Sequence, residues 1–162
     1  MLVPMEDKYL QDVLDIYNYY VENSIATYAV DKISSDEIRQ MVYFADERFG
    51  AFVILEGEEV VGYCILGQFN KKKGYSRTGE ITIYLKVGYT GRGIGKIAVG
   101  FLEEKACERD FHVLLAHVTV TNDPSVQLFE KLGYEKVGPL KEVGYKFGQV
   151  LSDYYYQKIL TC

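Results

Sequence analysis

The sequence predicts a single α/β domain over residues 1–162, an α+β sandwich with a mixed central sheet and helices on its faces. Three observations carry this. Helical and strand periodicities succeed one another in the order β-α-α-β-β-β-α-β-α-β-β. Hairpin-linked strands come first and one strand-helix-strand unit lies in the middle, which gives antiparallel neighbours and one crossover. The chain has 162 residues, 48% hydrophobic and 25% charged, the balance of one globular domain with one continuous core.

Residues 1–4 read as a short strand. Glu6 and Asp7 open a helix to about Glu22, with Leu10, Val13, Leu14, Tyr17 and Val21 on one face. Ser34 and Glu37 have capping-box spacing, so a second helix is expected to run to about Phe49. Ala51–Glu56 and Val60–Phe69 are β-rich runs around Gly57-Glu58, a hairpin signal, and Glu80–Val87 alternates as a strand. Ile94, Ile97, Ala98, Phe101, Leu102 and Lys105 switch to helical spacing, and Val113–Thr119 returns to strand. Asn122-Asp123-Pro124-Ser125 starts a helix that ends at Gly133, and strands are expected around Glu135–Val143 and Val150–Ile159.

Composition excludes several function classes. A net charge of -5 argues against a nucleic-acid binder, which needs a basic surface. No apolar run approaches the roughly 20 residues of a membrane span. Cys64, Cys107 and Cys162 are scattered, an odd set that suggests no disulfide framework and, with no signal peptide, points to a reducing cytosol. His112 and His117 are five apart, facing opposite sides of one strand, so no metal site is expected. Tyrosine is abundant at fifteen residues while tryptophan is absent, a bias toward pockets and interfaces. Lys71-Lys72-Lys73 reads as a solvated loop or as a holder of an anion.

The densest chemical signal is Gly88-Tyr89-Thr90-Gly91-Arg92-Gly93-Ile94-Gly95-Lys96, between a strand and a helix. Glycine permits close backbone approach, and amides at a helix start form an anion site reinforced here by Arg92 and Lys96. A phosphate suits it. Neither common nucleotide motif fits: a Walker A loop would need glycine at Thr90 and a hydroxyl at Ile97, and G-x-G-x-x-G fails at Lys96. A glycine-rich turn without a ligand is the other reading.

Thr90-Gly91-Arg92-Gly93-Ile94-Gly95 resembles the acetyl-CoA motif of the GNAT superfamily of N-acetyltransferases, [Gln/Arg]-x-x-Gly-x-[Gly/Ala], with Thr90 in place of the usual Gln or Arg. A second block, Asn122-x-x-Ser125-x-x-Leu128-Phe129-Glu130-Lys131-Leu132-Gly133-Tyr134, resembles another segment of that family. Ser24–Tyr28, Thr78–Tyr84 and Val143–Gly148 are similar to the phosphinothricin and methionine-sulfone acetyltransferase branch. The resemblance implies a mostly antiparallel GNAT-like sheet, acetyl-CoA as co-substrate, a small amino-acid-like amine as acceptor and a homodimer. Transfer to protein or peptide amines, and acyl-CoA binding without turnover, are the alternatives.

The resemblance also implies site roles. The end of the fourth strand, Ile83, Tyr84 and Leu85, would pair its backbone with pantetheine, a Leu85 amide facing the thioester oxygen. Gly91, Arg92, Gly93, Ile94, Gly95 and Lys96 would hold the diphosphate, and Asn122 would bond the pantetheine arm or serve only as a helix-start residue. Glu80 is the candidate general base, since an ammonium must lose a proton before it attacks. Thr82 lies on the same strand face and would orient a water or the amine. Tyr28 and Arg77 are the acceptor-pocket candidates, Arg77 as a partner for a carboxylate. Lys146 and Phe147 read as structural or as pocket-closing residues. Relatives place Tyr or His where this chain has Phe129, which cannot donate a proton, and this leaves Tyr84, Tyr134 or water.

Overall fold

The computed structural model describes all 162 residues. A seven-stranded sheet has the order β1-β2-β3-β4-β5-β7-β6, and only β4 and β5 are parallel. The strands are β1 (Leu2–Pro4), β2 (Gly50–Glu56), β3 (Glu59–Gln68), β4 (Thr78–Leu85), β5 (Val113–Thr119), β6 (Glu135–Lys146) and β7 (Gln149–Ile159). The helices are α1 (Leu10–Asn23), α2 (Ser35–Val42), α3 (Ile94–Glu108) and α4 (Asp123–Lys131). The expected element order holds throughout.

Two apolar layers sandwich the sheet. On one face, Val13, Tyr17 and Val21 of α1 and Ile38 of α2 pack on Val53, Tyr63 and Ile65. On the other, Ala98, Val99 and Leu102 of α3 and Phe129 of α4 pack on Cys64, Ile81, Leu114, Ala116 and Tyr156. Alternation along β4 and β5 therefore sends Ile81, Ala116 and Val118 toward α3 and α4, and Glu80, Thr82, His117 and Thr119 toward α1 and α2. Many of the tyrosines answer to packing of the first kind: Tyr84 contacts Tyr17, Tyr20 and Tyr63 with ring centroids 5.8, 5.1 and 5.6 Å apart.

Two expectations fail here. The second helix has the anticipated capping box at Ser34 and Glu37 but stops at Val42, where Tyr43 turns extended, rather than at Phe49. Asp46 competes for the backbone: its carboxylate accepts the Arg48 amide at 3.0 Å and its carbonyl the Phe49 amide at 3.0 Å, closing a turn where the helix would continue. The cysteines also correct the sequence reading, because Cys107 and Cys162 form a disulfide across a sequence separation of 55. β7 runs antiparallel beside β5 and returns the C-terminus to the end of α3, a closure that the linear spacing does not show. The free-thiol argument for a reducing compartment loses its basis. Only Cys64 remains a thiol, and burial pushes it up to about 12.

β6 and β7 meet through Phe147-Gly148, both at positive φ (52 and 72°), the backbone of a two-residue hairpin turn. No helix is long and apolar enough to cross a membrane.

Candidate functional site

β4 and β5 pair only from Thr78 to Glu80, against Val113 to Leu115. Beyond Glu80 β4 continues beside β3 and β5 beside β7, so the two strands part. A cleft of about 960 Å³ fills the opening, and Ile81–Leu85 of β4 and Ala116–Thr119 of β5 form its walls.

The parting leaves one edge of β4 without a ladder partner. The Lys86 amide donates to the Val61 carbonyl at 2.8 Å, and a Cβ built on Gly62 would lie 2.7 Å from the Tyr84 carbonyl, so both groups face β3. The trans peptide then turns the Leu85 N–H the other way, into the cleft, as alternation does for Ile83. The Leu85 carbonyl on that edge is already engaged, accepting the Tyr20 hydroxyl at 2.6 Å. The Leu85 amide, unlike its carbonyl, is free.

The glycine turn closes one end of the cleft. Gly91 and Gly93 have φ of 74 and 81°, and Gly93 caps α3 with no side chain over the helix start. The first amide engaged in the helix is that of Ile97, which donates to the Gly93 carbonyl at 3.3 Å. The amides of Gly93, Ile94, Gly95 and Lys96 therefore have no partner, the anion-binding arrangement of an uncapped N-terminus. Thr90, Gly91, Gly93, Gly95 and Lys96 line the cleft. Ile94 turns its side chain onto the core, so only its backbone serves the site. Asn122, at the start of α4, also lines the cleft and makes no capping hydrogen bond through its side chain.

Arg92 differs. Its guanidinium pairs with Glu56 at 2.6 Å and lies over the Tyr89 ring, outside the cleft lining. Arg77 differs more. It precedes the stretch in which β4 and β5 are still paired, and its side chain turns out to Asp110, donating to the carbonyl at 3.1 Å and the carboxylate at 2.8 Å. It does not reach the cleft, which corrects the acceptor-pocket assignment.

The face toward α1 and α2 gathers the polar groups. Glu80, Thr82, His117, Thr119 and Asp153 line the cleft there, under the Ser24–Tyr28 segment. Burial raises the Glu80 carboxyl above the usual range, against a smaller lowering by His117. Tyr28 donates to Asp153 Oδ1, and Thr119 Oγ1 lies 3.1 Å from the Tyr28 hydroxyl. Burial and the Asp153 hydrogen bond push that hydroxyl up to about 12. His117 Nε2 lies 2.7 Å from the other oxygen of Asp153, a carboxylate only 2% exposed. The ring of Tyr28 covers Gly144 and leaves no room for a Cβ there. Lys146 anchors the same segment: its ammonium donates to the Ser24 and Thr27 carbonyls at 2.7 and 2.8 Å, though burial lowers its pKa. The structure thus gives Lys146 the structural role.

The face toward α3 and α4 is apolar. Phe129 lines the cleft between Tyr134 and Tyr156, at centroid distances of 5.1 and 5.8 Å. Tyr134 does not line the cleft, and desolvation pushes the hydroxyls of Tyr84 and Tyr134 well above the usual phenol range.

His117 and Asp153 were missed as site residues in the sequence. The signal for them is strand register: Leu115 stands opposite Glu80, so His117 lies two residues further along the same face, and Asp153 pairs with Thr119 beside it.

Residues 12–134 match the model of the acetyltransferase (GNAT) family, which covers most of the chain. The chain is 30% identical over 146 residues to an L-methionine sulfoximine/L-methionine sulfone acetyltransferase of Pseudomonas paraeruginosa, covering 88% of this chain and 84% of that one. The solved GNAT superfamily phosphinothricin acetyltransferase of Sinorhizobium meliloti, in complex with acetyl-CoA, superposes with a TM-score of 0.94 at 26% identity, covering 99% and 88% of the two chains. A ribosomal-protein-alanine N-acetyltransferase structure from Brucella melitensis gives a TM-score of 0.91 at 32% identity and 99% coverage of both. The chain belongs to the GNAT family and is an acetyl-CoA-dependent N-acetyltransferase.

Proposed function

We propose that this GNAT enzyme acetylates the amine of a small amino-acid-like molecule, of the phosphinothricin or methionine sulfone type, by direct attack in a ternary complex. The observation that carries the reading is the parting of β4 and β5, which opens an amide edge toward one bound chain and a polar face toward another. Acetyl-CoA, when bound, supplies the thioester that is the acyl donor. The residues fit it: Gly93–Lys96 present four unpartnered amides to a diphosphate, and Lys96 adds a positive charge. Ile83 and Leu85 offer backbone groups to the pantetheine arm, and Asn122 offers a free side-chain amide.

Glu80 takes the proton that the ammonium must lose, and its raised pKa moves it toward the working range of a general base. Thr82, on the same face, orients the amine or a water. The Leu85 amide stabilises the developing oxyanion, a role worth about 2.7–4 kcal/mol. Phe129 donates nothing, and the thiolate leaves without a protein acid, its unperturbed pKa being only about 8.5. Tyr28 shapes the acceptor end.

The 32% identity to a ribosomal-protein-alanine N-acetyltransferase favours a second reading, transfer to a protein N-terminus. Thiol release from acetyl-CoA, measured with phosphinothricin, methionine sulfone, methionine sulfoximine, an aminoglycoside and an alanine-starting peptide, decides between them. Turnover confined to the first three supports the reading, and turnover confined to the peptide replaces it. For the homodimer, β6 is a sheet edge that leaves Val137, Val143 and Tyr145 exposed, a surface suited to a second copy. Light scattering at twice the 18.5 kDa chain mass supports it.

A further inference from the structure

We propose that His117, positioned by Asp153, is a second proton acceptor for the incoming amine and works beside Glu80. The inference rests on the acetyltransferase reading above and deepens it.

Proton accounting raises the need. An alkylammonium enters with three protons on nitrogen and leaves as an amide with one. As the N–C bond forms and the C–S bond breaks, one proton ends on the coenzyme thiol and one must pass through the protein to solvent. On the thiol side stands Phe129, which carries no proton. On the amine side the structure places two groups that exchange protons, Glu80 on β4 and His117 on β5.

The geometry around His117 is built. Nε2 lies 2.7 Å from Asp153 Oδ2, and the ring stacks on Tyr155 with centroids 4.6 Å apart and planes within 9°. Asp153 is itself fixed by the Tyr28 hydroxyl on its other oxygen. A buried carboxylate held from two sides orients one imidazole nitrogen and leaves Nδ1 with no protein partner. The side chain is 38% exposed and lines the cleft. The groups facing it are therefore Glu80 from β4, Asp153 and Tyr155 from β7, and Tyr28 from the loop through Asp153. His117 and Glu80 are also near enough for the imidazole's charge to lower the carboxyl's pKa. A neutral imidazole nitrogen accepts a proton and passes it on, the ordinary chemistry of a histidine base. A carboxylate and an imidazole on one face let a proton taken from the amine pass on rather than stay on a single base.

The decisive experiment measures kcat against pH, with acetyl-CoA and the best acceptor of the amine panel, for the parent enzyme and for Glu80→Gln, His117→Gln, His112→Gln and Asp153→Asn. His117→Gln is expected to lower kcat about 10²-fold and to alter the acidic limb of the profile, leaving the KM for acetyl-CoA unchanged. Asp153→Asn is expected to lower kcat and displace the same limb at unchanged KM for acetyl-CoA. His112→Gln, outside the cleft, keeps the parent profile. A second readout needs no turnover: in carboxyl NMR titration, His117→Gln raises the Glu80 midpoint. Parent kcat and an intact limb in His117→Gln overturn the proposal. Parent kcat in Glu80→Gln overturns the Glu80 assignment alone, and no turnover with any amine overturns the underlying reading.

Discussion

The two faces of the sheet at the cleft differ in chemistry although they are built from alternate residues of the same strands. Ile81, Ala116, Val118 and Tyr156 turn to the side of α3 and α4, where Phe129 completes an apolar wall. Glu80, Thr82, His117, Thr119 and Asp153 turn to the side of α1 and α2, where Tyr28 and Lys146 fix a loop above them. Period-two alternation thus segregates titratable side chains from apolar ones without a separate domain. A one-residue slip of β4 or β5 would exchange the two sets, and this is why the short Thr78–Glu80 ladder with β5 matters.

Four substitutions break or sharpen that contrast, ordered by expected effect. Glu80→Gln on the polar face lowers turnover by about 10²–10⁴-fold, with acetyl-CoA affinity by calorimetry nearly unchanged. Its melting temperature does not fall at neutral pH. The folded state raises the Glu80 pKa above the unfolded value, so the ionised carboxylate opposes folding above the unfolded pKa, and glutamine removes that cost. Gly93→Val weakens acetyl-CoA about tenfold or more by calorimetry, since the turn needs φ of 81°, which a β-branched residue does not readily adopt. Tyr28→Phe strips a hydrogen bond from buried Asp153 and costs about 1–3 kcal/mol in denaturant unfolding. It raises the acceptor KM more than the acetyl-CoA KM. Phe129→Leu on the apolar face costs about 1 kcal/mol of stability through packing yet leaves turnover within about twofold, because no proton passes there.

The fold was legible because periodicity changes sharply along this chain, from Leu10–Val21 at helical spacing to Glu80–Leu85 in alternation. Local competition hid the end of α2, where Asp46 takes amides that a helix would have used. The turn that leaves free amides at the start of α3 was legible from its glycines, whose freedom is a property of single residues. Arg77 misled because nearness in sequence to Glu80 is not nearness in the cleft: the zipped Thr78–Glu80 ladder lies between Arg77 and the point where β4 and β5 part. The pair His117 and Asp153 and the bond from Tyr28 to Asp153, 125 residues apart, arise only when β7 inserts beside β5. The Cys107–Cys162 bridge depends on the same insertion. No local pattern encodes a strand order in which the last strand but one lies at the edge.

The central claim is that the free amides at the start of α3 hold the coenzyme while the opposite face receives the amine. Backbone amide NMR during titration with acetyl-CoA tests it most directly. The account predicts large, saturating shifts at Gly93, Ile94, Gly95, Lys96 and Leu85, with small shifts at Glu80 and His117. Saturation of binding with those five amides unmoved would contradict it.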